Sequence, residues 1–126
     1  MQVQYEEEIF HAMKIIDFVH TRDGRVKLLA IEQPPHQWDS SLHVFKDTYD
    51  HEVVVTGLIN DLVTLSIKEN DHATQNFLQW YIAEQVEEEA NVKSIKSKLK
   101  LAAESTVTLL MLDQEMAKRV FVPPQD

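Results

Sequence analysis

Hydrophobic residues recur along this chain at spacings of three and four, which is the period of one face of an α-helix. The pattern predicts four helices, over residues 3–20, 41–68, 72–101 and 104–120. Residues 25–38 are predicted to form a non-helical crossover, because Pro34 and Pro35 cannot continue a helix. Gly24 suits the left-handed residue that ends the first helix, and residues 39–41 offer capping oxygens to the second. The predicted fold class is therefore all-α.

Acidic side chains interrupt the apolar faces of the first three predicted helices. Glu52 falls on the apolar face of the second helix, and Glu84 and Glu88 fall on that of the third. Glu8 and His11 point the same way from the first helix, about 4.5 Å apart in rise. Burying such carboxylates would cost several kcal/mol per ion, and bound cations would remove that cost. Oxygen donors with one imidazole suit iron or manganese, and zinc can compete.

Each of these signals is weak when taken alone. The glutamate triplets at 6–8 and 87–89 resemble the solvated faces of many helices, and a Glu-x-x-His pair matches many helices by chance. His11 could equally be a core histidine that is satisfied by hydrogen bonds. Because three helices agree in directing carboxylates inward, the pattern favours a metal-binding interpretation.

Composition narrows the alternatives. The 126 residues fit a single domain, taken as 1–126, and the scarcity of glycine (2) and proline (4) agrees with long helices. Without cysteine there are no disulfides or thiolate ligands, so a metal must bind oxygen or imidazole. A net charge of −9 argues against nucleic acid and anionic membranes as partners. With no apolar run of about 18 residues, we expect a cytoplasmic protein.

Several segments resemble the prokaryotic non-haem ferritins. Residues 5–14 (YEEEIFHAMK) resemble the second helix of that family, and residues 22–26 and 31–38 resemble the turn and the crossover that follow it. Residues 51–52 resemble its third helix. The fourth helix is resembled by residues 68–74 and 77–89, and the fifth by residues 112–119. These segments are spread from residue 5 to residue 119, so the resemblance extends along nearly the whole chain. The resemblance implies a ferritin-like helical bundle of three long or medium helices and a short C-terminal one, in which the family's first helix has no counterpart.

The same resemblance implies the ligands of a di-iron site. Glu8 would bridge two irons, His11 would complete one, and Glu52 would hold the other. Gln85 and Glu88 would line the same centre. A third iron position would use Glu7, Glu84, Glu87 and Glu88.

The function implied is iron storage with ferroxidase activity, in which dioxygen oxidises Fe²⁺ and the chain, as a homo-oligomeric shell of many copies, stores Fe³⁺. Without the family's first helix the site would lack one ligand, which leaves open a ferritin-scaffold assembly or shell protein without competent chemistry. A small di-iron redox enzyme of the rubrerythrin kind is disfavoured, because Glu84-x-x-Glu87 stands where a second Glu-x-x-His is needed. No haem is expected, because Ile9 occupies the position of the bacterioferritin haem methionine.

Overall fold

The structure is a computed structural model that describes residues 2–102 and 105–122. Its helices are α1 (Gln2–Thr21), α2 (Ser41–Lys68), α3 (His72–Ala102) and α4 (Thr106–Met116), and the described residues contain no β-strand. The predicted all-α class is confirmed, and the bounds predicted for the first three helices are correct to within one residue. None of the helices in the described ranges is long and apolar enough to cross a membrane.

The fourth helix is shorter than the predicted range of 104–120. It ends at Met116, and Glu104 lies outside the described residues. Beyond its end, the backbone N–H groups of Lys118 and Arg119 donate to carbonyls only three residues earlier, at 3.2 and 3.1 Å. Bonds of this spacing tighten the chain into a 3₁₀-type turn. The prediction was wrong because the apolar spacing continues past the point where α-helical bonding stops.

The left-handed residue that ends α1 is Asp23, and the prediction of Gly24 was wrong. Asp23 has a φ of 57°, and the N–H of Gly24 donates to the carbonyl of Val19 at 2.8 Å. In this Schellman pattern the left-handed residue precedes the donor, and aspartate tolerates the conformation better than most residues. Gly24 is required for another reason, since a β-carbon there would lie 2.9 Å from the Val19 carbonyl oxygen.

The turn between α2 and α3 has the same pattern. Asn70 is left-handed, with a φ of 56°, and the N–H of Asp71 donates to the carbonyl of Ser66 at 2.9 Å. The Asp71 carboxylate then caps α3 by accepting hydrogen bonds from the backbone N–H and the hydroxyl of Thr74, at 3.1 and 2.7 Å. Asn70 therefore ends one helix, and Asp71 begins the next.

Helices α2 and α3 are joined by three residues and pack antiparallel along an apolar seam. The centre of the seam is formed by Ile59, Leu78 and Tyr81, each at most 7% exposed. Partly buried apolar side chains surround this centre, namely Val55, Val63, Phe77, Trp80 and Ile82. The rings of Phe77 and Tyr81 lie 5.4 Å apart between centroids, in a tilted arrangement that aromatic pairs prefer.

The chain divides into two compact units by its internal contacts. One unit is Met1–Pro34 with Asp113–Asp126, and the other is Pro35–Leu112. The first contains α1, and the second contains α2 and α3. In the first unit, the ring of Phe10 packs against that of Phe121, with centroids 5.8 Å apart. The single domain over 1–126 stays a prediction.

Tyr81 is expected to make the seam less stable at high pH. Burial raises the pKa of its phenol above the usual range, because the ionised form would lose its hydration. The phenol of the unfolded chain ionises near about pH 10, so above that pH the folded chain holds a proton that the unfolded chain has lost. The contribution of Tyr81 to the free energy of unfolding is therefore complete below about pH 10 and is lost as the pH rises further.

Tyr81→Phe is accordingly expected to flatten the decline of the melting temperature between about pH 9.5 and 11, measured by circular dichroism. The matched control is Tyr5→Phe, because Tyr5 is exposed. The melting temperature of Tyr5→Phe is expected to decline with pH as that of the wild type does. Parallel declines in the wild type and in Tyr81→Phe would contradict the prediction.

Candidate functional site

Two carboxylates and an amide are buried between α2 and α3. Glu52 on α2 is 5% exposed, and Gln85 and Glu88 on α3 are 7% and 6% exposed. The amide nitrogen of Gln85 donates to the backbone carbonyl of Glu52 at 3.2 Å and to its carboxylate at 3.4 Å. The structure therefore brings together Glu52 and Gln85, and it buries Glu88 one turn further along α3.

The helical period explains why these polar groups are buried. On α3 the buried positions Tyr81, Gln85, Glu88 and Val92 are separated by four, three and four residues, so the polar pair occupies the same face as its apolar neighbours. A carboxylate in such a seam loses hydration, which costs several kcal/mol per ion unless hydrogen bonds or cations offset the loss. Carboxylate and amide oxygens are the donors that a hard cation prefers, so the residues present fit Fe²⁺ or Mn²⁺.

The hydrogen bonds continue to two residues that the sequence analysis did not identify. The Gln85 amide nitrogen also donates to the Thr56 hydroxyl oxygen at 3.3 Å, and the Thr56 hydroxyl donates to the Glu89 carboxylate at 2.6 Å. Thr56 follows Glu52 by four residues, and Glu89 follows Gln85 by four. This spacing of four was the sequence signal that could have identified Thr56 and Glu89, because residues four apart are neighbours on a helix surface.

A cavity of about 400 Å³ borders the same network. Its lining includes Thr56, Gln85 and Glu89, together with the amide of Asn60 and the ammonium of Lys93. One carboxylate and one ammonium in the lining balance each other in charge. The cavity is therefore a poorer place for a lone cation than the buried carboxylates beside it.

The other candidate carboxylates of α3 differ in burial. Glu84 is half-buried, whereas Glu87 is exposed to solvent. Glu84 and Glu88 are four residues apart and share one side of the helix, while Glu87 is turned away by about 100° from Glu88. The third iron position implied by the sequence thus includes one carboxylate that is in water.

In the first unit, α1 carries the remaining candidate donors. The Nδ1 atom of His11 lies 3.7 Å from the Glu8 carboxylate, and the side-chain amide of Gln4 donates to the same carboxylate at 3.2 Å. His11 is half-buried. The predicted pairing of a carboxylate with an imidazole one turn apart on α1 is therefore present.

Glu7, and not Glu8, is the more buried carboxylate of α1. The side chain of Glu7 is 18% exposed, against 54% for Glu8. The Arg119 guanidinium donates to both oxygens of the Glu7 carboxylate, at 3.1 and 3.4 Å. The sequence analysis expected Glu8 on the inward face, but its side chain is the more exposed of the two, and its role as a ligand stays a prediction.

Within residues 2–102 and 105–122, no three His, Asp or Glu side chains form a group that could hold a metal ion. Among the candidate iron ligands, Glu8 contacts His11 in one unit, and Glu52 contacts Gln85 in the other.

Comparison with known proteins identifies the family. Residues 1–102 match the family model of the ferritin-like domain. The bacterial non-heme ferritin of Campylobacter jejuni is 43% identical over 108 residues, which are 86% of this chain and 65% of that protein. The bacterial non-heme ferritin of Escherichia coli O157:H7 is 36% identical over 112 residues, 89% of this chain and 68% of that protein. The chain thus spans about two thirds of the length of these relatives.

Solved structures of archaeal ferritins have the same fold. The open pore ferritin of the hyperthermophile Archaeoglobus fulgidus is 54% identical, with a TM-score of 0.94 over 95% of this chain and 74% of that one. A humanized archaeal ferritin is 50% identical, with a TM-score of 0.96 over 98% of this chain and 74% of that one. Sequence identity and fold agree over nearly all of this chain, which therefore belongs to the ferritin family.

Proposed function

We propose that this chain binds and stores iron, and that its helices support the oxidation of Fe²⁺ by dioxygen. The observation that carries the proposal is the burial of Glu52 and Glu88 beside Gln85 in the seam between α2 and α3. Two buried carboxylates cost stability in a seam with only a structural role, whereas they supply ligands to a seam that binds cations. The relatives named bacterial non-heme ferritin favour iron without haem as the cargo.

The proposed iron ligands are those that the sequence resemblance implied. Glu8 and His11 on α1, with Glu52, Gln85 and Glu88 on α2 and α3, are proposed as the di-iron ligands. Glu7, Glu84 and Glu87 are proposed to join Glu88 in holding a third iron. Support comes from the contact of Glu8 with His11 and from the contact of Glu52 with Gln85.

The negative charge of carboxylate ligands would favour the oxidation of Fe²⁺ to Fe³⁺. The attraction between a carboxylate and iron grows with the charge of the ion, so these ligands stabilise Fe³⁺ more than Fe²⁺. Each Fe²⁺ gives one electron to dioxygen, and paired-metal sites hold their two ions about 3.5–4 Å apart. The net charge of −9 raises the local concentration of the cationic substrate.

We also propose that the chain forms a homo-oligomer. Leu28, Leu29 and Ile31 lie on the connection between α1 and α2 with their side chains exposed. Burial against another copy would explain three large apolar side chains so close together. A cytoplasmic location stays a prediction.

The competing function is a ferritin-scaffold assembly or shell protein without competent chemistry. The observation that favours it is that, in the described parts of the chain, no three His, Asp or Glu side chains form a group that could hold a metal ion. The two functions differ in one measurable property. Only an iron-oxidising protein accelerates the reaction of Fe²⁺ with dioxygen.

The test is an anaerobic titration with Fe²⁺ followed by exposure to air, with Fe³⁺ formation recorded by absorbance. We expect the wild type to exceed the uncatalysed rate, and Glu8→Ala to lower the initial rate by more than about 10-fold, because loss of even an outer partner of a metal ligand typically costs that much. Glu6→Ala is the matched control, since it removes an exposed glutamate from the same helix. If the wild-type rate equalled the rate in buffer alone, the proposed iron oxidation would be contradicted and the scaffold function would be supported.

A further inference from the structure

We infer that Thr56 and Glu89 are positioning residues that fix the orientation of the Gln85 side-chain amide, so that its carbonyl oxygen is the atom presented to a bound cation. The inference rests on the proposed iron-binding function of Glu52 and Gln85. Neither Thr56 nor Glu89 belongs to the proposed ligand set. Their role follows from the donors and acceptors that surround the amide.

Two of the three groups around the Gln85 amide nitrogen can only accept hydrogen bonds. They are the backbone carbonyl of Glu52, at 3.2 Å, and the carboxylate of Glu52, at 3.4 Å. The third is the hydroxyl oxygen of Thr56 at 3.3 Å, which can donate or accept. The direction of the Thr56 hydroxyl proton therefore decides whether this third contact also requires a donor on Gln85.

Glu89 settles the direction of that proton. Its carboxylate accepts the Thr56 hydroxyl proton at 2.6 Å, a distance typical of a charge-assisted hydrogen bond. Because a hydroxyl has one proton, the Thr56 oxygen can act only as an acceptor towards Gln85. If the amide were reversed, its carbonyl oxygen would face three acceptors and make none of these hydrogen bonds. The arrangement therefore selects one of the two amide orientations.

The selected orientation has a consequence for cation binding. The amide group is planar, so its carbonyl oxygen lies on the branch opposite to the nitrogen and its three partners. A neutral amide oxygen is a suitable ligand for a hard cation. The nitrogen of the same amide holds the Glu52 carboxylate, so a single network orients one oxygen donor from each helix.

The experiment measures binding of Co²⁺ by its visible absorption, and KM and kcat for Fe²⁺ oxidation. Thr56→Val, which replaces the hydroxyl by a methyl of the same size, is expected to weaken Co²⁺ binding by about 10-fold and to raise KM more than it lowers kcat. Glu89→Ala should weaken Co²⁺ binding in the same direction, because the freed Thr56 hydroxyl no longer has to accept from Gln85, which leaves the amide held by Glu52 alone. The conservative variants Thr56→Ser and Glu89→Gln keep the hydroxyl and the acceptor, and both are expected to behave as the wild type.

Thr48→Val is the matched control. The Thr48 hydroxyl also lies on α2 and donates to the backbone carbonyl of Val44 at 2.9 Å, outside the network. It should change neither the Co²⁺ spectrum nor KM, and all variants should retain the helical circular dichroism of the wild type. If the wild type binds Co²⁺ and both Thr56→Val and Glu89→Ala bind it equally well, the positioning role is overturned while the proposed function stands. If the wild type neither binds Co²⁺ nor oxidises Fe²⁺, both are overturned.

Discussion

Glu52→Gln is expected to raise the melting temperature of the iron-free chain and to lower the initial rate of Fe²⁺ oxidation by more than about 100-fold. The side chain of Glu52 is 5% exposed, so its negative charge has lost nearly all contact with water. Removal of that charge removes its desolvation cost and should stabilise the iron-free fold by about 1–3 kcal/mol. The introduced amide still accepts the hydrogen bond from Gln85.

The loss of oxidation has a separate cause. A carboxylate that binds iron directly should matter more than an outer partner, whose loss typically costs about 10–100-fold. The matched control is Asp61→Asn, which removes the same charge from an exposed position of α2 and should change neither property. The melting temperature by circular dichroism and the oxidation rate in air check the two effects. A lower melting temperature in Glu52→Gln, or an unchanged rate, would contradict the assignment of Glu52.

Gln85→Glu is expected to have the opposite effect on stability. It replaces the donor that now faces the backbone carbonyl and the carboxylate of Glu52 by another acceptor, at distances of 3.2–3.4 Å. Two buried carboxylates would then face each other without the hydrogen bond that joins them. We expect a loss of about 3–5 kcal/mol in the free energy of unfolding of the iron-free chain, the range seen when a buried charge loses its partner.

A bound cation should reverse this loss. A divalent cation between two carboxylates is attracted more strongly than one between a carboxylate and an amide, and a ligand that binds only the folded chain raises its stability. The increase in melting temperature on addition of Mn²⁺ should therefore be larger for Gln85→Glu than for the wild type. Gln79→Glu is the control, because Gln79 is an exposed residue of the same helix. Equal responses of wild type and Gln85→Glu to Mn²⁺ would argue against a cation at this position.

Features that depend on local sequence were predictable. The start of α3 follows from a capping residue beside an apolar pattern, and the cap is Asp71 bonded to Thr74, three residues away. The burial of Glu52 and Glu88 also follows from local spacing, because a helix fixes which side chains share a face. The same spacing predicted the contact of Glu8 with His11.

Features that depend on residues distant in the sequence were not predictable. Glu7 is more buried than Glu8 because Arg119, 112 residues later, pairs with it, and no periodic pattern contains that partner. Thr56 and Glu89 are 33 residues apart, and their contact arises only when α2 and α3 are aligned in one register. The end of α4 was missed for a related reason, since α-helical bonding stops within a stretch whose apolar spacing continues.

At the proposed iron ligand Glu7, the ion pair with Arg119 would make iron uptake a cation exchange. The Glu7 carboxylate already has a positive partner at 3.1 Å, so an incoming ion takes over an existing attraction rather than meeting an isolated negative charge. Each ion bound at Glu7 would release the guanidinium of Arg119 from α1. Loading with iron would thereby loosen residues 117–122, and protease sensitivity of that segment would report occupancy of Glu7.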